Sequence, residues 1–257
     1  MNWKQLISAK RFGMEEFHEE RQENRSEFQR DYDRLIFSAP FRRLQNKTQV
    51  FPLPGSVFVH NRLTHSLEVA SVGRSLGDDV AKALLERHPE LQDSFLPEIG
   101  SIVSAACLAH DLGNPPFGHS GEKAISTFFS EGKGVRLKEK QPNGEQLSPM
   151  EWEDLTHFEG NANAFRILTH QFEGRRKGGF VLTYTTLASI VKYPFSSSLA
   201  GTKSKFGFFV SEEESFQKIA TELGLTLLNE HPLKYARHPL VYLVEAADDI
   251  CYQMMDI

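Results

Sequence analysis

The chain has 257 residues, which is enough for one large domain or two small ones with a buried core. Its composition, 40% hydrophobic and 25% charged, is that of an ordinary soluble globular protein. The formal net charge of -5 gives no overall signal for nucleic acid or for an anionic membrane, although a local basic pocket is compatible with it. No apolar run reaches the roughly 18 residues that a membrane-spanning helix needs.

The cysteines and the first residues indicate the cellular compartment, and the last residues indicate whether the helical pattern is interrupted. Cys107 and Cys251 lie in apolar helical patterns, which predicts small core residues of a reduced, cytoplasmic protein and no cysteine-based zinc site. Residues 1–5 lack the apolar core of a signal peptide. The last helical pattern continues to Ile257 without a glycine or proline stop, so we expect the chain to be cut short there.

The first fifth of the chain is polar. Residues 1–34 interleave arginines with acids and predict a solvated helical arm. Residues 37–52 combine apolar anchors with three cations and two glutamines, and prolines end them in a turn. Residues 57–59 are a candidate for a short extended segment.

A long helix is predicted from Asn61. Gly73 and Gly77 lie one turn apart in it and would let another helix approach closely. His65 lies near its N-terminal end, where a capping or core role is as plausible from the sequence as a role as a ligand. The predicted apolar face of this helix comprises Leu63, Leu67, Ala70, Leu76, Val80 and Leu84.

The stretch HDLGNPPFGHSGE (110–122) holds two histidines, an aspartate and a glutamate. His110 continues an apolar helical stripe, so a helix is predicted to end at His110 and Asp111, stopped by Gly113 and two prolines. By itself a His-Asp pair is weak evidence for a metal site, since an isolated histidine on such a stripe is more often a core residue. The stripe before it comprises Ile99, Ile102, Val103 and Ala106.

A second helix is predicted to open near Ser120. His119 and Glu122 stand three residues apart at its start and therefore share a face. Imidazole nitrogen and carboxylate oxygen both suit a divalent metal. The buried face of this helix is predicted to comprise Ile125, Phe128 and Phe129.

The last helical stripe carries an acid. Asp248 is predicted to point inward among apolar residues, where a lone carboxylate costs several kcal/mol unless it is paired or metal-bound. Asp249 lies about 100° round the helix and is predicted to be a surface acid. The stripe comprises Val241, Val244, Asp248, Tyr252 and Met255.

Helical periodicity in every segment that carries a candidate ligand predicts an all-α fold, with at most a short β-hairpin near Val57 or Phe180. The β-branched run at 180–186 is read either as extended or as the lead into a helix ending at Lys192.

Two histidines and two aspartates on three helices suit a divalent metal, with positions left open for water. Their order, one His, then His-Asp, then a late Asp, resembles the HD-domain metallo-phosphohydrolases. From about residue 24 to residue 257 the chain resembles the bacterial dGTP triphosphohydrolase family. The motifs that carry this resemblance are RRLQNKTQVFP (42–52), RLTHSLEV (62–69), HDLGNPPFGHSGE (110–122), FEGNA (158–162) and EAADDI (245–250).

The resemblance implies a role for each matching residue. His119 and Glu122 match the family's catalytic histidine and its acidic partner, and Arg62 matches an α-phosphate contact. The implied metal ligands are His65, His110, Asp111 and Asp248, for Mn, Mg, Fe, Co or Zn. The remaining implied substrate contacts are Gln49 and Val50 at the deoxyribose, Tyr252 and Asp256 on the sugar and phosphate side, and Asn114 in the pocket.

On this basis the chain is divided into an N-terminal arm and substrate segment at 1–55 and an HD metal-site core at 56–257. The C-terminal helices that family members ordinarily possess are expected to be absent, which puts nucleotide affinity and oligomerisation in doubt. The resemblance implies a dNTP substrate, release of triphosphate, a homo-oligomer and no membrane partner. A further candidate partner is an effector, either single-stranded DNA or a nucleotide.

Two alternatives stay open. The first is an HD phosphohydrolase acting on another nucleotide, against which the arginine- and glutamine-rich segment 42–49 argues. The second is a nucleotide- or single-strand-binding regulatory module with little turnover, for which the missing C-terminal part argues.

Overall fold

The computed structural model describes residues 2–16, 25–47, 61–139, 145–174, 177–201 and 204–255. Two short strands, β1 (Leu227–Asn229) and β2 (Lys234–Tyr235), pair antiparallel, with Leu227 opposite Tyr235. The remaining regular structure is helical, which confirms the predicted fold class. The helices are α1 (Trp3–Leu6), α2 (Glu27–Ile36), α3 (Ala39–Arg43), α4 (Arg62–Arg87), α5 (Ile99–Ala109), α6 (His119–Ser130), α7 (Pro149–Thr156), α8 (Gly160–Thr169), α9 (Tyr184–Ile190), α10 (Glu213–Glu222) and α11 (Val241–Met255).

The β-hairpin does not lie where the sequence suggested. Residues 57–59 are outside the described residues. Near Phe180 the described chain forms only an isolated bridge between Arg11 and Thr183, and α9 begins at the next residue. The Thr183 hydroxyl accepts a hydrogen bond from the Thr186 amide at 3.3 Å. This N-cap explains why a β-branched run starts a helix here.

Helix α5 is the centre of the molecule. All eleven of its residues are buried, and it packs against α2, α4, α9 and α11. A helix that is apolar on every side is stable only inside a core. It is nevertheless short, and among the described residues no helix combines the length and apolarity needed to cross a bilayer. As predicted, α5 ends just before His110, so its C-terminal end delivers His110 and Asp111.

Helices α4 and α5 touch through glycine. A Cβ atom on Gly77 would lie 2.7 Å from the Cα of Gly100, and one on Gly73 would lie 2.6 Å from Cys107 Sγ. The predicted close approach is therefore present, but the buried face is rotated from the predicted one. The fully buried residues of α4 include Val69, Gly73, Gly77 and Ala81, whereas its leucines are only partly buried. Small residues face α5 because backbone contact leaves no room for larger side chains.

The prediction of a solvated arm over residues 1–34 is wrong for α2. Phe28 and Leu35, which lie seven residues apart on one face, are fully buried, and α2 packs against α5. Asp31 is buried on the same helix. Its carboxylate accepts hydrogen bonds from Arg11 Nη1 at 2.7 Å and from the Thr183 hydroxyl at 2.6 Å. Because these partners satisfy the acid, a charge-rich sequence still packs into the core.

Helix α6 begins one residue before Ser120, close to the predicted position, but none of its residues is buried. Phe128 is 47% exposed, so its assignment to a buried face is wrong. The helix packs on α7 and on the 3-10 turn at Lys133–Lys138. These short elements cover only part of the apolar face that the periodicity identified.

Replacement of Gly77 by alanine tests the backbone contact between α4 and α5. We expect Gly77→Ala to lower the free energy of unfolding by about 1–2 kcal/mol, because overpacking costs about 1–3 kcal/mol and alanine returns up to about 1 kcal/mol of helix propensity. The exposed Ser75→Ala change on the same helix should stay within about 0.5 kcal/mol of wild type. Denaturant unfolding measures both, and a stability for Gly77→Ala equal to wild type would contradict the contact.

His238 is a buried histidine far along the chain from the predicted site. Its Nε2 donates to the Leu6 carbonyl at 3.0 Å, and its Nδ1 accepts from the Leu240 amide at 3.3 Å. Both contacts are satisfied by the neutral ring. Burial lowers the pKa of His238 to about 4, although the Leu6 carbonyl opposes this shift.

A pKa depressed from 6.5 to about 4 means that the unfolded chain binds a proton in a pH range where the folded one does not. The contribution of His238 to stability is therefore complete above about pH 6.5 and is lost as the pH falls toward 4. At about 1.4 kcal/mol per pH unit, the loss over the shift from 6.5 to about 4 amounts to up to about 3.5 kcal/mol. We expect the stability difference between wild type and His238→Gln to shrink over this range in denaturant titrations. A difference that is constant from pH 7 to pH 4 would show that His238 is not held neutral.

Candidate metal centre

Three helices bring the four predicted metal ligands together. His65 lies in the first turn of α4, His110 and Asp111 follow α5, and Asp248 lies in α11. Ligand atoms of His65, His110 and Asp111 all lie within 4.8 Å of one another. Asp248 Oδ1 lies 2.9 Å from His65 Nε2 and 3.6 Å from His110 Nε2. The structure therefore places all four side chains in one group, as the sequence predicted.

The ring of His110 is oriented for coordination. Its Nδ1 lies 2.6 Å from the Cys107 carbonyl oxygen, which can only accept, so Nδ1 carries the proton. The other ring nitrogen, Nε2, faces the two carboxylates and lies 3.6 Å from both Asp111 Oδ1 and Asp248 Oδ1. A histidine that ligates a metal almost always donates its other ring nitrogen in this way.

The group is charged in a manner that fits a cation. Burial lowers the pKa of His110, but Asp111 and Asp248 outweigh burial and raise it to about 9. Burial likewise raises the pKa of Asp248, yet hydrogen bonds from His110 and His65 hold it well below its usual range. Two carboxylates facing two imidazoles thus attract positive charge. Their nitrogen and oxygen donors fit Mn, Fe, Co, Zn or Mg.

Arg62 and Asn114, both predicted substrate contacts, hold Asp111 in this structure. Arg62 Nη1 donates to Asp111 Oδ2 at 2.6 Å, and Asn114 Nδ2 donates to Asp111 Oδ1 at 2.5 Å. Arg62 is buried, and its Nε has no hydrogen-bond partner among the described residues. The two donors fix the orientation of the carboxylate toward His110. Their contact with substrate stays a prediction.

His119 and Glu122 form the predicted pair at the start of α6. His119 Nδ1 lies 2.8 Å from Glu122 Oε2, and the Gly160 amide donates to Glu122 Oε1 at 2.8 Å. Burial raises the pKa of Glu122, but His119, the Gly160 amide and Lys205 together hold it below its usual value. Glu122 is therefore a carboxylate at neutral pH. The His119 side chain is 85% exposed, so its ring faces open space.

A single cleft joins these groups. Its volume is about 540 Å³, within the usual range for small-molecule sites. Tyr252 lines it with its ring 5.1 Å from that of His65. Gln49, Val50 and Asp256 lie outside the described residues. The predicted residues that line the cleft are Arg62, His110, Asp111, Asn114, His119, Glu122, Asp248 and Tyr252.

The cleft also contains two lysine–glutamate pairs that the sequence did not pair. Lys205 Nζ lies 2.9 Å from Glu159 Oε1, and Lys192 Nζ lies 2.8 Å from Glu245 Oε1. Glu159 and Glu245 lie within motifs that carry the resemblance, which was the signal available for them. Lys205 lies in an irregular segment without periodicity, so no sequence pattern pointed to it.

Glycines allow the walls of the cleft to meet. A Cβ atom on Gly160 would lie 2.0 Å from Asn114 Oδ1 and 2.9 Å from Glu122 Oε1. One on Gly113 would lie 2.0 Å from the Gly160 carbonyl oxygen. The turn after α5 and the start of α8 are therefore in backbone contact. This contact aligns Asn114 and Glu122 on one wall.

The comparisons with known proteins agree with this architecture. Residues 62–178 match the family model described as HD domain, which spans the segment from α4 to the residues after α8. The chain therefore contains an HD domain over these residues, as its resemblance predicted.

Named relatives extend the similarity over the whole chain. It is 45% identical to a deoxyguanosinetriphosphate triphosphohydrolase-like protein of Synechocystis sp. and 47% identical to one of Pseudomonas aeruginosa. It is 36% identical to a deoxyguanosinetriphosphate triphosphohydrolase of Yersinia enterocolitica. All of this chain is aligned in each case, and it covers 59%, 56% and 54% of those proteins, respectively. The chain thus spans little more than half the length of these relatives, and the resemblance to the dGTP triphosphohydrolases is confirmed.

Proposed function

We propose that this protein hydrolyses deoxynucleoside triphosphates, dGTP or a broader set, to deoxynucleoside and inorganic triphosphate in a metal-dependent reaction. The observation that carries the proposal is the presence in one cleft of His110, Asp111 and Asp248, of the His119–Glu122 pair and of several cationic side chains, with the buried His65 in contact with Asp248 behind the cleft wall. The names of the relatives support the same substrate class. The proposed enzyme class is therefore that of the HD-superfamily phosphohydrolases.

The proposed metal ligands are His65, His110, Asp111 and Asp248. When bound, a divalent ion supplies Lewis-acid polarisation of the α-phosphoryl oxygen and lowers the pKa of a bound water. The contribution of the chain is to fix the donors. Arg62 and Asn114 hold the Asp111 carboxylate, and the Cys107 carbonyl holds the His110 ring.

His119 is proposed as the general acid, with Glu122 as its orienting partner. Water attacks the α-phosphorus, a new P–O bond forms, and the bond to the 5′-oxygen of the nucleoside breaks. The leaving oxygen needs a proton, which His119 donates from its exposed ring. Glu122 accepts from His119 Nδ1 and so holds the ring in place, with Nε2–H as the proposed proton donor.

The triphosphate requires neutralising charge. Arg62, Lys192 and Lys205 line the cleft and are proposed to meet the phosphates. Lys47 is a weaker candidate, because it is not among the described residues that line the cleft and its Nζ donates to the Asn114 carbonyl oxygen at 2.7 Å. Gln49, Val50, Tyr252 and Asp256 are proposed on the sugar side from the resemblance alone.

The wider proposals also rest on the resemblance. We propose a substrate segment within 1–55, an HD core at 56–257, a homo-oligomeric assembly and a cytoplasmic location. A single-stranded DNA or nucleotide effector belongs to the same set. The product separates the proposed reaction from its alternatives, because release of phosphate or pyrophosphate indicates another HD phosphohydrolase, and absence of turnover indicates a binding module.

Removal of Asp248 tests the metal site. We expect Asp248→Ala to bind Mn²⁺ at least about 10- to 100-fold more weakly, because losing a ligand costs no less than losing its supporting partner. The neighbouring Asp249 is exposed and provides a matched control, so Asp249→Ala should bind as wild type does. Calorimetric titration and elemental content measure both. Equal metal content in wild type and Asp248→Ala would remove Asp248 from the site.

Removal of His119 separates chemistry from binding. We expect His119→Ala to keep its metal and its affinity for dGTP while kcat for triphosphate release falls by about 10² to 10⁴-fold. His157 forms a comparable pair with Glu153, with Nδ1 and Oε2 3.1 Å apart, and does not line the cleft. His157→Ala should therefore leave kcat unchanged. Turnover by His119→Ala at the wild-type rate, with metal and dGTP saturating, would exclude His119 as the acid.

A further inference from the structure

Glu159 is a glutamate with no exposed surface at the start of α8. Its Oε2 accepts hydrogen bonds from the backbone amides of Asn161 at 2.6 Å and Ala162 at 3.2 Å, which makes it the N-cap of the helix. Its Oε1 accepts from Asn161 Nδ2 at 2.7 Å and from Lys205 Nζ at 2.9 Å. A capping role needs only the first two contacts. The second oxygen holds the ammonium of Lys205, which lines the cleft.

Lys205 stands between two carboxylates. Its Nζ is 2.9 Å from Glu159 Oε1 and 3.6 Å from Glu122 Oε2. Burial lowers the pKa of Lys205, but Glu159 outweighs burial and raises it. Lys205 is therefore cationic, and Glu159 is its nearer partner. The position of this cation beside Glu122 depends on Glu159.

Glu122 is thus bordered on two sides by groups that Glu159 holds. Its Oε1 accepts from the amide of Gly160, the first residue of the helix that Glu159 caps. Its Oε2 accepts from His119 Nδ1 and faces the Lys205 ammonium. An ammonium at this distance competes with the imidazole for the carboxylate, so its placement decides how firmly Glu122 holds His119.

We infer that Glu159 is a positioning residue for proton delivery, acting through Lys205 and the Gly160 amide on the Glu122–His119 pair. The inference rests on the proposed function and adds to it a buried carboxylate that does not itself touch the substrate. Glu159 sets the place of the cation and the orientation of Glu122, and His119 then presents its proton toward the leaving 5′-oxygen.

Two substitutions separate positioning from helix capping. Glu159→Gln keeps the size of the side chain and one accepting oxygen but removes the charge that holds Lys205. Glu159→Asp keeps the charge and is among the best N-cap residues, yet it is one methylene too short to serve both the cap and Lys205. Thermal unfolding confirms that each variant is folded. If one of them does not fold, the other carries the test.

We expect kcat for triphosphate release from dGTP with Mn²⁺ to fall about 10- to 100-fold in both variants, a part of the full effect of general acid catalysis. The KM for dGTP should not rise. In a Glu122→Gln background, Glu159→Gln should have no further effect on kcat, because it acts through Glu122. Ser148 caps α7 in the same manner, and Ser148→Ala should lower stability while leaving kcat unchanged.

Binding of inorganic tripolyphosphate gives a readout that needs no turnover. Glu159→Gln removes the nearest counter-charge of Lys205, so calorimetry should show about three- to tenfold tighter binding of tripolyphosphate than to wild type. A kcat within about threefold of wild type in both variants would overturn the inference, as would multiplicative losses in the double variant. Unchanged or weaker tripolyphosphate binding would overturn it too. If wild type releases no triphosphate, it is the proposed function that fails, whereas the tripolyphosphate comparison still decides whether Glu159 holds the charge of Lys205.

Discussion

The backbone contact between α4 and α5 is the constraint on which the rest of the molecule depends. Glycines on both helices allow a close approach, so that a Cβ atom on Gly77 would lie only 2.7 Å from the Cα of Gly100. At this separation the N-terminal end of α4 and the C-terminal end of α5 carry His65 and His110 into ring contact, with centroids 5.5 Å apart. Larger residues in the interface would move the imidazoles apart. The geometry of the ligand group is thus set by packing well outside the cleft.

The cleft is organised around acids that neighbouring residues hold in place. Asp111 is held by Arg62 and Asn114, and Glu122 is held by His119 and the Gly160 amide. Each carboxylate also faces a group with a proposed chemical role. Buried charges of this kind are tolerated because every one has a partner. The same pairing keeps the side chains from rearranging, so the cleft is preorganised.

The sequence predicted the elements well and their faces less well. Helical periodicity located α4, α5 and α11, and the expectation that a buried Asp248 needs a partner matches its contacts with two histidines. Periodicity identifies an apolar face but not what covers it, so Phe128 was wrongly assigned to the interior. Periodicity also gives large apolar residues more weight than glycine. For this reason the buried face of α4 was predicted on the side of its leucines and not on the side of its glycines.

Local pattern could not show contacts between distant segments. Lys205 reaches Glu159 across 46 positions from a segment without regular structure. The burial of Asp31 depends on Arg11 and on Thr183, which is 152 positions away. Such pairs have no period and no fixed spacing, so only the folded chain brings them into view. The four proposed ligands were named because a family resemblance supplied the spacing that periodicity lacks.

The separation of the ligands along the chain has a thermodynamic consequence. His65 and Asp248 are 183 residues apart, and they belong to the second and last of the helices that pack directly on α5. An ion shared by them would act as a reversible cross-link that closes this long loop, and the entropy of such closure grows only with the logarithm of loop length. Since the unfolded chain has no preformed site, the free energy of ion binding would add to that of folding. If the proposed site binds an ion, separation of α11 from the core becomes harder on binding, and protease resistance of α11 would then measure metal occupancy.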